Sequence, residues 1–476
     1  MRYTSFCLFL SSLVLLASAA SAAVIVDGVD TGQDSYTVSD ANKASVFTGT
    51  GTLIQTGQGG SPQVFNGSLT GFSGILKITG TTGQYWMFGG PNMVKGAGND
   101  LEMTIAQNTV LVLTDPDASA PIEYHFSVLN GGGSIRTSNA TQVRTCTLVV
   151  GTDTAGYDGA SGHNFTGNIA TWNINLGGQS NFNLKKVGTN TQTLSGNNFG
   201  FTASNRIDIE GGMLVSNKST ALGAAHVYVN PGASLYFNET QTVANTIEFA
   251  GTGVGNNTAA LRIYGNITFT GNLTLNADST IYVQPNYTSK ITNQLWGKSQ
   301  ANTLTKTGGG ILSIATQPDV NTIKGVVIQG GVLEAASANA LGGNNVKLAG
   351  GRLRLKTDVG RITFAAAGDG FTPSGAIEVN AAEGESWDLT NYQTGANIKF
   401  EKTGAGTVRM TGNYSGGTLQ SIEIKAGKIQ IYGDTAESAR VFPANVNAVI
   451  SQGAQVEYLK NSQDFNNICP YSIYGG

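Results

Sequence analysis

The chain reads as an all-β protein, a β-solenoid of about 20 short coils that follows a cleaved signal peptide. Three observations predict this class: a glycine excess with few charges, a recurring unit, and short alternating segments between the glycines. Glycine supplies 65 of 476 residues, roughly twice its usual ~7% share. Charged residues supply 12%, against a typical ~25%. A disordered polyelectrolyte needs more charge, a collagen needs a strict glycine triplet, and a helical bundle needs more Ala, Glu, Lys and Leu. Formal charge is −3 and no block of Lys or Arg occurs, so no nucleic-acid footprint is expected.

Residues 1–22, MRYTSFCLFLSSLVLLASAASA, carry one positive charge at Arg2 and an apolar run from Phe6 to Ala17. Small residues at Ala20 and Ala22 precede an expected cut before Ala23, the pattern of a secretory signal peptide. No later segment holds ~18 apolar residues, so no transmembrane helix is expected after cleavage. Removal of Cys7 leaves Cys146 and Cys469, which is no disulfide framework for an exported chain. CxxC, HExxH and Cys/His quartets are absent, and no metal or other cofactor is expected.

Residues 23–476 form the repeat region, with units near 47–80, 184–236, 304–355 and 400–460. The unit reads LIQTGQGG at 53–60, LKKVGTNTQTLSG at 184–196, LTKTGGGILSIAT at 304–316 and FEKTGAGTVRMT at 400–411. These segments align Gln55, Lys186, Lys306 and Lys402, each followed two residues later by Gly57, Gly188, Gly308 and Gly404. A second step lies 24 or 25 residues after the Gln or Lys, at Gly80, Gly211, Gly330 and the Ala426-Gly427 pair. An isoleucine stands two residues before each step, at Ile78, Ile209, Ile328 and Ile424. The middle copies continue in parallel as STALGAAHVYVN and ANALGGNNVKLAG.

Between the glycines, segments such as Arg352-Leu353-Arg354-Leu355 alternate with period 2 and then give way to Gly or Asn, a strand-and-turn rhythm. Strands this short need neighbouring coils to bury their inward faces. Stacking at ~4.8 Å per coil gives a rod of roughly 100 Å. Gly and Asn supply corner residues with positive φ. On that rod Cys146 and Cys469 lie far beyond the ~7 Å that a disulfide spans, so they are not expected to bridge.

The units LTKTGGGILSIAT and FEKTGAGTVRMTG, followed by Ile-x-Gly-Gly steps and ANALGG, resemble the autotransporter-associated β-strand repeat of Gram-negative surface proteins. The stretch 47–80 is similar to the same repeat, and the resemblance covers most of residues 45–460. It implies a right-handed parallel β-helix, carried to the outer membrane or cell surface or released from the cell. It also implies a C-terminal translocator barrel, which would need about a dozen strands of ~10 alternating residues that this chain does not hold. Ile473-Tyr474-Gly475-Gly476 repeats the step after which a strand follows elsewhere, so the chain is expected to be a fragment of a longer polypeptide.

Candidate chemistry is sparse. His125, His163 and His226 fall on different coils without a shared motif, which leaves general acid–base work without a partner. Paired carboxylates that could cleave glycans are Asp115 with Asp117 and Asp153 with Asp158, yet Asp-Pro-Asp also forms turns. Neither pair carries the Arg, Lys or His that such sites require. GTGVGNN at 251–257 is expected to be a corner, because no helix follows to bind an anion. Trp172, Trp296 and Trp387 precede the repeat lysines and are expected to pack between coils. In Tyr85-Trp86-Met87-Phe88, alternation sends Trp86 and Phe88 to one face, which makes them candidate ligand contacts.

These readings favour a structural or adhesive surface protein with no enzymatic activity, a monomeric rod acting through a long repeat face toward surface glycans or extracellular matrix. The alternatives are a carbohydrate-active β-helix enzyme, either polysaccharide lyase or glycosidase, and a passenger stalk for an activity encoded downstream.

Overall fold

The structure is a computed structural model. It describes residues 24–25, 35–38, 46–56, 63–65, 68–79, 84–88, 101–113, 122–137, 145–153, 163–170, 181–255, 258–298, 301–315, 323–343, 345–368, 370–389, 392–410, 418–431, 446 and 448–458. Among these residues the regular elements are strands, 43 of them, paired in parallel and stacked as a β-solenoid of about 13 turns. The all-β solenoid class expected from sequence is therefore the observed one. The coil number is lower than the ~20 expected from a constant repeat length, because the coils are unequal. Leu304 finds its register partner at Val326, whereas Leu148 finds its partner only at Leu184. Residues inserted between strands lengthen a coil without adding one.

The chain forms two compact units, Met1–Asp208 with Thr220–Ala225, and Ile209–Ser219 with His226–Gly476. In the first, Ser35–Val38, Thr52–Thr56, Ile75–Thr79, Glu102–Ile105 and Val128–Gly131 form one parallel ladder. A second ladder runs through Gln63–Phe65, Gln84–Phe88, Thr109–Leu113, Ser134–Thr137 and Asn168–Ala170. In the second unit, Ala233–Phe237, Leu261–Ile263, Leu273–Val283, Thr303–Thr307, Gly325–Ile328 and Asn345–Leu355 stack in order. Further along, Ser374–Asn380, Gly395–Thr403, Leu419–Ile424 and Ala448–Ile450 do the same.

Parallel stacking in register sets like on like. Leu235, Leu261 and Ile281 are consecutive partners, and all three are fully buried. Each such side chain contributes about 1.5–3 kcal/mol of transfer free energy. No isolated strand reaches that burial. Some inward positions are polar and are satisfied by backbone. Gln192 accepts from Leu129 N at 2.9 Å and donates to Leu129 O at 2.9 Å. Asn198 accepts from Ile169 N and donates to Ala221 O. Such bonds offset the desolvation that buried amides otherwise suffer.

Corners use positive φ as expected, at Asn108 and Asn286 as well as at glycine. At the second repeat step the positive φ falls on Gly212, Gly331 and Gly427, one residue after Gly211, Gly330 and Ala426. Cys146 is a buried thiol. The signal peptide, Gly57, Gly80, Cys469 and residues 473–476 lie outside the described residues.

Candidate functional site

The repeat lysines lie inside the solenoid. Leu304 and Lys306 are two apart on one strand, and both are 0% exposed. Lys306 stands in the aliphatic ladder between Ile281 and Ile328. Lys402 stands between Val379 and Ile424, and Lys186 is the partner of Val150. Their stems pack in the core while the ammonium groups reach the corner. Lys306 Nζ donates to the carbonyls of Thr307 at 2.7 Å, Gly308 at 2.9 Å and Gly330 at 3.1 Å. Lys402 Nζ repeats this with Thr403 at 2.8 Å, Gly404 at 2.7 Å and Ala426 at 3.1 Å. Lys186 Nζ reaches Val187 O at 2.6 Å, Gly188 O at 3.4 Å and Asn190 Oδ1 at 3.0 Å.

Three donors meet three acceptors, which is the full capacity of an ammonium group. At Lys306 and Lys402 the two halves of the motif, Lys-x-Gly and the step 24 residues on, are thereby joined through one atom. Burial pushes Lys306 down to about 7 and Lys402 down to about 8. Burial also pushes Lys186 down to about 7 against the attraction of Asp153. Gln55 takes the same inward position between Val38 and Ile78 and is 3% exposed. A neutral amide there avoids the charge, and among the described residues its Oε1 has no hydrogen-bond partner.

A charge ladder crosses the second unit. Register aligns Glu334, Arg354, Glu378, Glu401 and Glu423 on successive strands. Three glutamates in sequence would repel one another, and Arg352 and Lys425 insert from the flanks. Arg352 holds Glu401 with two bonds of 2.8 and 2.9 Å and reaches Glu378 at 3.1 Å. Arg354 holds Glu378 at 2.9 Å, Thr403 donates to Glu378 at 2.9 Å, and Lys425 reaches Glu401 at 3.0 Å. Desolvation acts to raise the Glu378 carboxyl, but the bonds from Arg354 and Thr403 outweigh it and leave it below the ordinary value. The Arg352 bond leads the causes that hold Glu401 down.

The outer face of the second unit carries an aromatic group that sequence reading missed. Tyr236, Arg262 and Tyr282 are consecutive register partners. Tyr264 lies beside them, 4.8 Å from the Tyr236 ring centroid and 5.6 Å from that of Tyr282. The Arg262 guanidinium sits 5.3 Å from the Tyr236 centroid and 5.8 Å from that of Tyr264. All four residues are half-buried. Asn238 and Gln284 accept from the Tyr236 and Tyr282 hydroxyls at 2.7 Å, and Asn238 donates to Asn217 at 3.0 Å. The signal was present in sequence: Tyr236-Phe237-Asn238, Arg262-Ile263-Tyr264 and Tyr282-Val283-Gln284 share an outward–inward–outward order. Only known coil lengths bring the three into register.

His226, expected on the repeat surface, stacks on Tyr228 at 4.3 Å and approaches Glu248 at 3.2 Å. His125 contacts Glu123 at 3.2 Å. Trp387 is buried at 6% exposure, as expected for packing between coils, but Trp296 is 40% exposed. That corrects the expectation for Trp296. It lies only ten residues before its lysine, on the strand Leu295–Gly297, and its outward position there matches Thr274 on the neighbouring coil. Trp172, Asp115, Asp117 and Asp158 lie outside the described residues. Trp86 and Phe88 lie on the strand Gln84–Phe88, in register with Leu111 and Leu113; their side chains are likewise outside. Among the described residues no three His, Cys, Asp or Glu side chains group as metal ligands, and no helix is long and apolar enough to cross a membrane. The fold and these arrangements define a β-solenoid repeat protein. No family model, curated protein or solved structure matches the chain.

Proposed function

We propose that the chain is the passenger-like part of an exported surface protein, akin to autotransporter-associated repeat proteins, with a structural and adhesive role. The observation that carries this reading is the use of the motif. Its lysines are spent inside the coils on backbone carbonyls, so the repeat encodes scaffold, and what remains variable is the column of side chains on the outer face. In-register columns offer repeated weak contacts that gain strength by multivalency. Export is supported by residues 1–22. The test is expression of the chain in a Gram-negative host, N-terminal sequencing of the exported form, and adhesion to coats of glycan and of matrix protein. The expected result is a mature chain beginning at Ala23 that retains on at least one coat. A chain found uncleaved in the cytoplasm and adhering to nothing would end this proposal.

A carbohydrate-cleaving reading draws on the proximity of His226 Nε2 to Glu248 at 3.2 Å and on the bond between its Nδ1 and the Tyr228 hydroxyl, groups of the kind general acid–base catalysis uses. It requires reducing-end release from a polysaccharide and its loss in His226→Gln.

A further inference from the structure

We propose that the outer face built by Tyr236, Arg262, Tyr264 and Tyr282 binds acidic carbohydrate, a polysaccharide bearing uronate carboxylates. This rests on the adhesive reading and gives it a site and a ligand class. The starting point is the state of Arg262. Arg206, Arg352, Arg354 and Arg409 each face a carboxylate. Arg262 faces none among the described residues. Its Nη1 contacts the Met213 sulfur at 3.3 Å, a weak acceptor, and its buried Nε has no hydrogen-bond partner among the described residues. The guanidinium lies over two tyrosine rings, 5.3 Å and 5.8 Å from their centroids, an attraction that does not neutralise it.

The surroundings match a sugar acid in three further respects. Aromatic rings offer π faces to the C–H faces of pyranoses. Gln284 and Asn238 bring amides to the rim, and the phenol of Tyr236 stays protonated, since burial and the neighbouring Tyr264 push it up to about 12. The charged and phenolic groups acting on Tyr236 are Tyr264, Arg262, Tyr287 and Tyr282, with no carboxylate among them. Finally, successive rungs are one coil apart, ~4.8 Å, which is close to the rise per sugar of an extended polysaccharide. A glycan running across the coils meets one rung per sugar, and its carboxylate meets the bidentate fork that such groups favour.

The experiment uses the full chain and three immobilised probes: polygalacturonate, neutral dextran, and a glycan-free protein coat. Wild type is expected to bind polygalacturonate, to release it as salt rises, and to leave dextran unbound. Arg262→Gln is expected to weaken binding at least about tenfold. Arg262→Lys, which keeps the charge but not the planar fork, falls between. Tyr264→Ala weakens binding comparably through lost stacking. Thermal melting of each variant confirms a folded chain, and the salt dependence of wild type stands independently of any variant. If Arg262→Gln binds polygalacturonate like wild type, the site assignment falls while the adhesive reading stands. Equal binding to dextran overturns the acidic class. Binding to the protein coat that is lost in Arg262→Gln transfers this face to a protein partner and overturns the carbohydrate assignment. Wild type that binds none of the three probes removes both readings.

Discussion

Lys306 joins three carbonyls from two coils through one atom, and its substitution separates charge from packing. Lys306→Met keeps the stem in the ladder between Ile281 and Ile328 but orphans three acceptors, and we expect a loss of about 1–3 kcal/mol by denaturant unfolding. Lys306→Ala adds a cavity and should lose about 2–5 kcal/mol. Protonation gives a second handle. Lys306 and Lys186 are pushed down to about 7 and Lys402 to about 8, whereas the unfolded chain holds its lysines near 10.5. Between those values the unfolded state binds more protons, so stability rises as pH increases from about 7 toward 10. Tyr236 acts in the opposite direction. Its hydroxyl is raised to about 12, so its contribution is present below about 10 and lost above it. A flat midpoint from pH 7 to 10, with Lys306→Met equally flat, would show that the carbonyls fully offset burial.

At the scale of the coil, the two glycines of the second step have different duties. Gly331 has φ 62°, and a Cβ there would collide with the carbonyl oxygens of Gly308 and Gly310. Gly331→Ala should therefore destabilise by at least about 1–2 kcal/mol. At Gly330 the nearest atom to an added Cβ is Gly308 O at 3.4 Å, an ordinary contact, and the sister repeat already carries Ala426. Gly330→Ala should stay within about 0.5 kcal/mol of wild type or slightly stabilise. The charge ladder is the other coil-level device. Removing Arg352 leaves Glu378 and Glu401, 5% and 6% exposed, facing each other without their shared cation. Arg354, Thr403 and Lys425 still hold the two carboxylates, so we expect Arg352→Met to lose about 1–3 kcal/mol. Because both carboxyls titrate below their unfolded value of 4.5, their contribution is complete above that value and is lost as pH falls through the folded ones. Arg352→Met should accordingly unfold at a higher pH on acidification, read by circular dichroism.

For the whole molecule, the solenoid separates maintenance from contact. Core ladders and lysine corners recur, while outer columns differ from coil to coil, from the Glu334–Glu423 charge ladder to the Tyr236–Tyr282 group. Adhesion through such columns predicts that contact strength grows with the number of chains displayed. A bead carrying many copies should be retained on polygalacturonate far more strongly than the free chain, by a factor of order 10²–10⁴ if two or more sites engage. Equal retention of beads and free chain would argue against a multivalent surface role.

The strand-and-turn rhythm, the repeat and its glycines were legible in the sequence because each is local. Period-2 alternation places Leu304 and Lys306 on one face, so even the burial of the lysine was implicit, although charge argued against it. What the ammonium binds was not legible, since Gly330 O comes to it only through the stacking of the next coil. The same holds for Arg352 with Glu401 and for Arg262 with Tyr236. These partners depend on coil lengths, and coil lengths depend on inserted residues that no period reveals. A register slip of one residue would turn every outward side chain inward. Local chemistry thus decided that this chain coils, and tertiary stacking decided which side chains meet.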